Sequence, residues 1–208
     1  MTDLLKSLKY TFSIYAHPFE GFWFMKAEKR ANSKTGIAIL FLLIVTTVIR
    51  VYSTGYIISS VSLTDFSVWL LLIGIVGLIL LYCIANWSLT TLLDGKGKFS
   101  EIFTSLMYAL TPVVIMNLPM TALSNLISDE GIPFYTFLNV IVFAWSLFLI
   151  LAANLSVHDF TMTKSIVTFI ITVIFMLIIV VIGILFLNLC QQVYVWVDAV
   201  IREILYRV

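Results

Sequence analysis

Apolar residues run almost unbroken through five windows of this chain, 36–58, 68–93, 102–127, 134–157 and 165–189, and polar residues gather between them. A helix needs about 20 mostly apolar residues to cross a bilayer, so each window predicts a transmembrane helix. Charges mark the breaks. Only Arg50 and Asp65 fall between Lys34 and Asp94, only Asp129 and Glu130 between Glu101 and Asp159, and none between Lys164 and Asp198. The pattern predicts an all-α fold, an integral membrane helical bundle with five transmembrane helices. The first window is the least regular, because Arg50 interrupts it and the stretch to residue 62 has to complete the crossing. An arginine there can snorkel to the far headgroups or pair with Asp65, Asp129, Glu130 or Glu203.

Both termini show helical periodicity outside the five windows, which predicts amphipathic interfacial helices at each end. Leu4, Leu5, Leu8, Phe12 and Tyr15 share one face, opposite Asp3, Lys6, Lys9 and Ser13. In the last stretch Val193, Val197, Val200, Ile201, Ile204, Leu205 and Val208 oppose Gln192, Asp198, Arg202 and Tyr206. That tail, 190–208, is either a separate outer helix or a continuation of the fifth span. Between the first amphipathic stretch and the first span lies "HPFEGFWFMKAEKR", His17 to Arg30. Pro18 suits the first turn of a helix. Aromatic rings such as Trp23 and snorkelling cations favour the water–lipid boundary, so residues 1–35 read as an interfacial collar that also exposes Glu20.

Composition agrees with a bilayer as solvent. Hydrophobic residues make up 62% of the 208 and charged residues 11%, against roughly 45–50% and about 25% in soluble domains. A formal net charge of +1, with no basic polar surface, excludes nucleic acid as a partner. Cys83 and Cys190 share no metal or redox spacing and read as small hydrophobes. The first residues lack the features of a removable signal peptide, so the first span is expected to act as its own insertion signal. With the N-terminus in the cytoplasm, the inner side carries Lys6, Lys9, Lys26, Lys29, Arg30, Lys34, Lys96, Lys98 and Lys164, and the outer side Arg50, Arg202 and Arg207. This asymmetry predicts an inward N-terminus and an outward C-terminus.

Few residues offer chemistry. In "DGKGKF", Asp94 to Phe99, Gly95 and Gly97 permit positive φ and expose backbone N–H groups beside Lys96 and Lys98. The loop is a tight turn or a contact for a lipid phosphate or a partner's carboxylate, and it lacks the spacing of a Walker loop. Asn86, next to Trp87, falls inside the hydrocarbon and needs a partner, as do Asn117 and Asn154; interhelical hydrogen bonding answers that need. Gly74 and Gly77 are expected to allow close helix approach. Pro112 and Pro119 each remove a backbone donor from the third span and bend it. His17, Glu20, Asp94, His158 and Asp159 could hold a metal only if they converged. Neither an HExxH pattern nor a nucleophile elbow is present, so neither a metal, a cofactor nor catalysis is expected. His17 and His158 read as tethers of helix ends.

Taken in order, "HPFEGFWFMKAEKR", "ANWSLTTLLDGKGKFSEIF", "YALTP", "NLPMTALSN", "VHDFTMTKS" and "REILYR" resemble bacterial members of the Yip family, the Ypt-interacting protein domain. The resemblance covers nearly the whole chain, as one domain over 1–208, and implies five spans with a cytoplasmic N-terminus. Eukaryotic relatives associate with Rab-type GTPases through a long cytosolic N-terminal region, which here is only about 35 residues, so that role is not carried over. The resemblance to bacterial members implies a non-enzymatic protein of the bacterial cell membrane, an accessory or interaction subunit of a membrane complex such as an ABC transporter, contacting lipids, that partner or itself. The collar, the "DGKGKF" loop, Arg50 and the Asn86 to His158 region are the candidate contacts. The alternative is a small transporter or lipid-translocating protein whose polar groove is lined by Arg50, Asn86, Asn117 and Asn154.

Overall fold

The computed structural model describes residues 11, 14, 15, 17–27, 33–59 and 67–207, the side chain of 207 excepted. The proposed face of Leu4, Leu5, Leu8 and Phe12, the charged end of the collar at residues 28–30, and Asp65 lie outside the described residues. Among the described residues every regular element is helical. Seven α-helices follow one another: α1 (Pro18–Ala27), α2 (Ser33–Ser53), α3 (Val68–Leu92), α4 (Phe99–Ala109), α5 (Thr111–Ser124), α6 (Ile132–His158) and α7 (Met162–Arg207), with a 3-10 turn at Asp129–Gly131.

Five segments are long and apolar enough to cross a membrane: Ser33–Ser53, Val68–Leu92, Phe99–Ser124, Asp129–His158 and Met162–Tyr206. They coincide with the five windows of the sequence. The first ends sooner than expected, since the helix stops at Ser53 and the chain turns over residues 54–58; it starts earlier in compensation, and its 21 residues still span about 31 Å. The third is broken at Leu110, between α4 and α5. Pro112 has no N–H for the ladder and occupies the first turn of α5, while Pro119 lies inside that helix. The gap is closed locally. The Leu110 N–H reaches Leu106 O at 3.0 Å, the Thr111 hydroxyl donates to Tyr108 O, and the Tyr15 hydroxyl donates to Thr111 Oγ1 at 2.7 Å.

The helices alternate in direction, so α1, the α3–α4 loop and the α6–α7 turn gather at one end of the bundle, called here the loop end. α2 packs on α4 and α5, α4 and α5 on α6, α1 on α6, and α3 on α7. The core is built from these contacts: Phe22 and Met25 of α1, Ile39 of α2, Cys83 of α3, Met107 and Tyr108 of α4, and Leu149 of α6 are buried together. Gly74 and Gly77 do not serve close packing, because a Cβ at either would meet nothing within 4 Å.

The C-terminal segment is continuous with the fifth span. α7 has 46 residues, about 69 Å of helix, more than twice the roughly 30 Å of hydrocarbon. Residues 181–206 are exposed throughout apart from the partly covered Asp198, and Asp198 pairs with Arg202 one turn on at 2.8 Å.

Candidate functional site

A buried polar layer lies at the loop end, where three spans converge. Asn86 of α3 is 1% exposed and His158, the last residue of α6, 2% exposed. The Gly97 N–H donates to His158 Nδ1 at 3.3 Å, which leaves the proton on Nε2, 3.0 Å from Asn86 Oδ1. Asn86 Nδ2 donates in turn to Asn154 Oδ1 at 3.3 Å and to Thr172 Oγ1 of α7 at 3.4 Å. Asn154 Nδ2 reaches Ser165 O at 3.3 Å, and the Ser165 hydroxyl donates to Leu151 O at 3.0 Å. Every link runs in one donating direction, so the network is satisfied inside a low-dielectric region where an orphaned amide would be costly.

The "DGKGKF" loop seals this layer, and its glycines are needed for space. None of the described glycines has positive φ; the left-handed positions are Asp94 (φ 58°) and Asp159 (φ 55°), a conformation that aspartate tolerates better than most residues. A Cβ on Gly97 would lie 2.6 Å from Val157 Cγ1 and 2.7 Å from His158 Cε1, and one on Gly95 2.7 Å from His158 Nδ1. The loop backbone therefore rests directly on the imidazole. Lys98 leads into α4, with its N–H received by the Glu101 carboxylate at 3.0 Å. The residues on either side of Asp94 hold the turn: the Leu93 and Gly95 N–H groups both reach Thr90 O.

Charges surround the seal. Lys26 of α1 and Lys96 of the loop meet the two Asp159 oxygens at 3.1 and 3.4 Å. Partial burial pushes the Asp159 carboxyl up, but Lys26 and then Lys96 more than offset that and hold it below its ordinary value. Lys164 Nζ donates to Leu93 O at 2.8 Å and sits 4.2 Å over the Phe160 ring, which itself stacks on His158. One end of the bundle thus collects α1, the loop and both termini of the α6–α7 turn.

A second polar layer lies near the opposite end, around Arg50. The guanidinium takes no acidic partner among the described residues; it donates to Asn117 Oδ1 at 3.0 Å, Asn139 Oδ1 at 2.6 Å and the Tyr135 hydroxyl at 3.4 Å. Neutral oxygens receive its planar fork, where the sequence offered the far headgroups or an acid; of those acids Asp65 lies outside the described residues. Asn117 Nδ2 continues to Thr46 and Thr47 at 3.2 and 3.3 Å. Asn139 and Asn154 lie on the same helix fifteen positions apart, about 22 Å along it. Arg50, Asn86, Asn117 and Asn154 therefore belong to two separate layers and do not line one groove.

The remaining sequence candidates are placed outside both layers. His17 precedes α1 with its carbonyl receiving the Gly21 N–H at 2.8 Å, Pro18 opens that helix, and Glu20 is exposed. Trp23 and Trp87 are half-exposed and meet Phe24 and Phe99 edge-on at 5.2 and 6.4 Å. Among the described residues no three His, Cys, Asp or Glu side chains are placed to hold a metal ion. The sequence reading missed Tyr135 and Asn139 as partners of Arg50, and Ser165, Thr168 and Thr172 as the buried hydroxyl stripe of α7. The stripe had a signal in its i, i+3, i+7 spacing.

Five long apolar helices joined by two internally bonded polar layers define a multi-pass helical membrane protein. The chain belongs to the Yip1 domain family, whose sequence model matches residues 12–184. No curated protein and no solved structure matches it.

Proposed function

We propose that the protein is a non-catalytic subunit of a membrane complex in the bacterial cell membrane, acting by binding a partner membrane protein, with the loop end facing the cytoplasm. The observation that carries this reading is α7, whose residues 181–206 stand exposed beyond the bundle on a helix about 69 Å long. Such a surface, with Trp196, Tyr194 and Tyr206 among its exposed rings, suits docking against another protein. Asn86, Asn154 and His158 in one layer and Arg50 and Asn117 in the other find their partners within the bundle, which supports packing as their role. An ABC transporter as the partner is supported by the resemblance to bacterial Yip proteins, and the inward loop end by its lysines, Lys26, Lys96, Lys98 and Lys164.

Affinity purification of the full chain in several mild detergents, followed by mass spectrometry, tests the reading. Permease and nucleotide-binding subunits are expected to co-purify in stoichiometric amount, and to be lost when residues 190–208 are removed. Recovery as a partnerless protein in every detergent would contradict it.

A further inference from the structure

At mid-depth the bundle is not closed. At the loop end α3 and α7 are joined to each other, through Asn86 to Thr172 and Lys164 to Leu93 O, and to α6, through Asn86 to Asn154 and Asn154 to Ser165 O. Toward the opposite end the α3–α7 pair stands away from α2, α5 and α6, leaving a cavity of about 680 Å³ between them. Ile75 and Ile79 of α3 and Val173 of α7 form one wall; Leu43 of α2, Val113 of α5 and Leu147 of α6 form the other. Along α7 the lining extends from Phe169 to Val180, about 16 Å or half the hydrocarbon thickness.

We propose that this cavity holds the acyl chain of a bilayer phospholipid as a retained structural ligand, a site independent of the partner-binding reading. The volume falls in the range of ligand sites, about 300–1,000 Å³. The cavity is a poor site for water: its polar lining residues are Thr47, Tyr82 and Ser146 among nineteen, and of these Ser146 donates to Val142 O at 3.0 Å and Thr47 accepts from Asn117, against the two to four partners a buried water needs. At the depth of the spans the component available to fill an apolar space is hydrocarbon chain. A length near half the core thickness matches a chain from one leaflet.

The test uses the full chain in vesicles of a phospholipid carrying a diazirine near the end of one acyl chain, with adducts mapped by peptide mass spectrometry after illumination. Ile174 and Ile178 of α7 are exposed, lie at the same depth and do not line the cavity, so they serve as controls for ordinary lipid contact. Ile75, Ile79 and Leu147 are expected to carry several-fold more adduct than the controls. In Ser146→Phe and Val173→Phe, which fill the cavity from opposite walls, labelling at Ile79 is expected to fall to the control level while labelling at Ile178 is unchanged. Only a variant that remains monodisperse in detergent is scored, and the wild-type ratio decides the matter if neither does. Equal labelling of lining and control positions would overturn the proposal, as would protection of the lining by a second copy or by collapse of α3 and α7 onto α6.

Discussion

Gly97 marks a close contact at the loop end, the loop backbone lying against His158 and Val157. Gly97→Ala forces the loop off the imidazole, breaks the Gly97 N–H to Nδ1 bond and is expected to destabilise the protein by about 1–3 kcal/mol, the range of core overpacking. Gly74→Ala is the control with the opposite sign. That Cβ meets open space in the interior of α3, so it is expected to be neutral or to stabilise by up to about 1 kcal/mol through helix propensity. Thermal melts of both variants in one detergent check the pair. Asn86→Leu leaves His158 Nε2 and Asn154 Oδ1 without their partner; in a membrane protein such a loss costs about 0.6–2 kcal/mol, below the figure for a water-soluble core, because the unfolded chain in lipid also finds partners. A loss well above about 2 kcal/mol would contradict that expectation.

At the scale of elements, α1 is held to the loop end by apolar contacts of Phe22 and Met25 and by the Lys26, Asp159, Lys96 ion group. The folded Asp159 carboxyl titrates below its ordinary value of 3.8, so its contribution is complete above that value and is lost as pH falls through the depressed one. Acidification below about pH 4 is therefore expected to loosen α1, read as faster proteolysis near Lys26, and Asp159→Asn is expected to show the same loosening at neutral pH with no further change on acidification. The effect is modest, because Asp159 is 41% exposed. α7 gives a contrasting expectation. Residues 191–206 are exposed apart from the partly covered Asp198, so deleting 190–208 should leave the melt within about 0.5 kcal/mol of the intact chain; a large loss would mean that the extension packs back.

These elements also show how far the sequence could be read. The five spans were legible because each exceeds the crossing length with few charges, and the break in the third because Pro112 announces it. Asn86, Asn117 and Asn154 were legible as groups in need of bonds, since a buried amide has no solvent to turn to. Their partners were not legible. Arg50 could have met any of several acids, and the choice of Asn117, Asn139 and Tyr135 depends on which faces of α5 and α6 turn inward, which an almost uniformly apolar helix does not declare. The steric need for Gly97 was hidden for the same reason, because it arises from a residue 61 positions away.

For the whole molecule, an odd number of spans puts the loop end and the far end of α7 on opposite sides of the membrane, and the proposed orientation has the lysine-bearing loop end in the cytoplasm. The native cysteines make this measurable. Cys83 is buried and Cys190 exposed, and Cys190 stands 28 positions beyond Met162, about 42 Å along α7 and past the hydrocarbon. A membrane-impermeant maleimide applied to intact cells tests the account most directly. The native protein is predicted to be labelled at Cys190, and Lys96→Cys in a Cys190→Ser background to stay unlabelled until the cells are permeabilised. Labelling at position 96 from outside, with Cys190 reached only after permeabilisation, would contradict it.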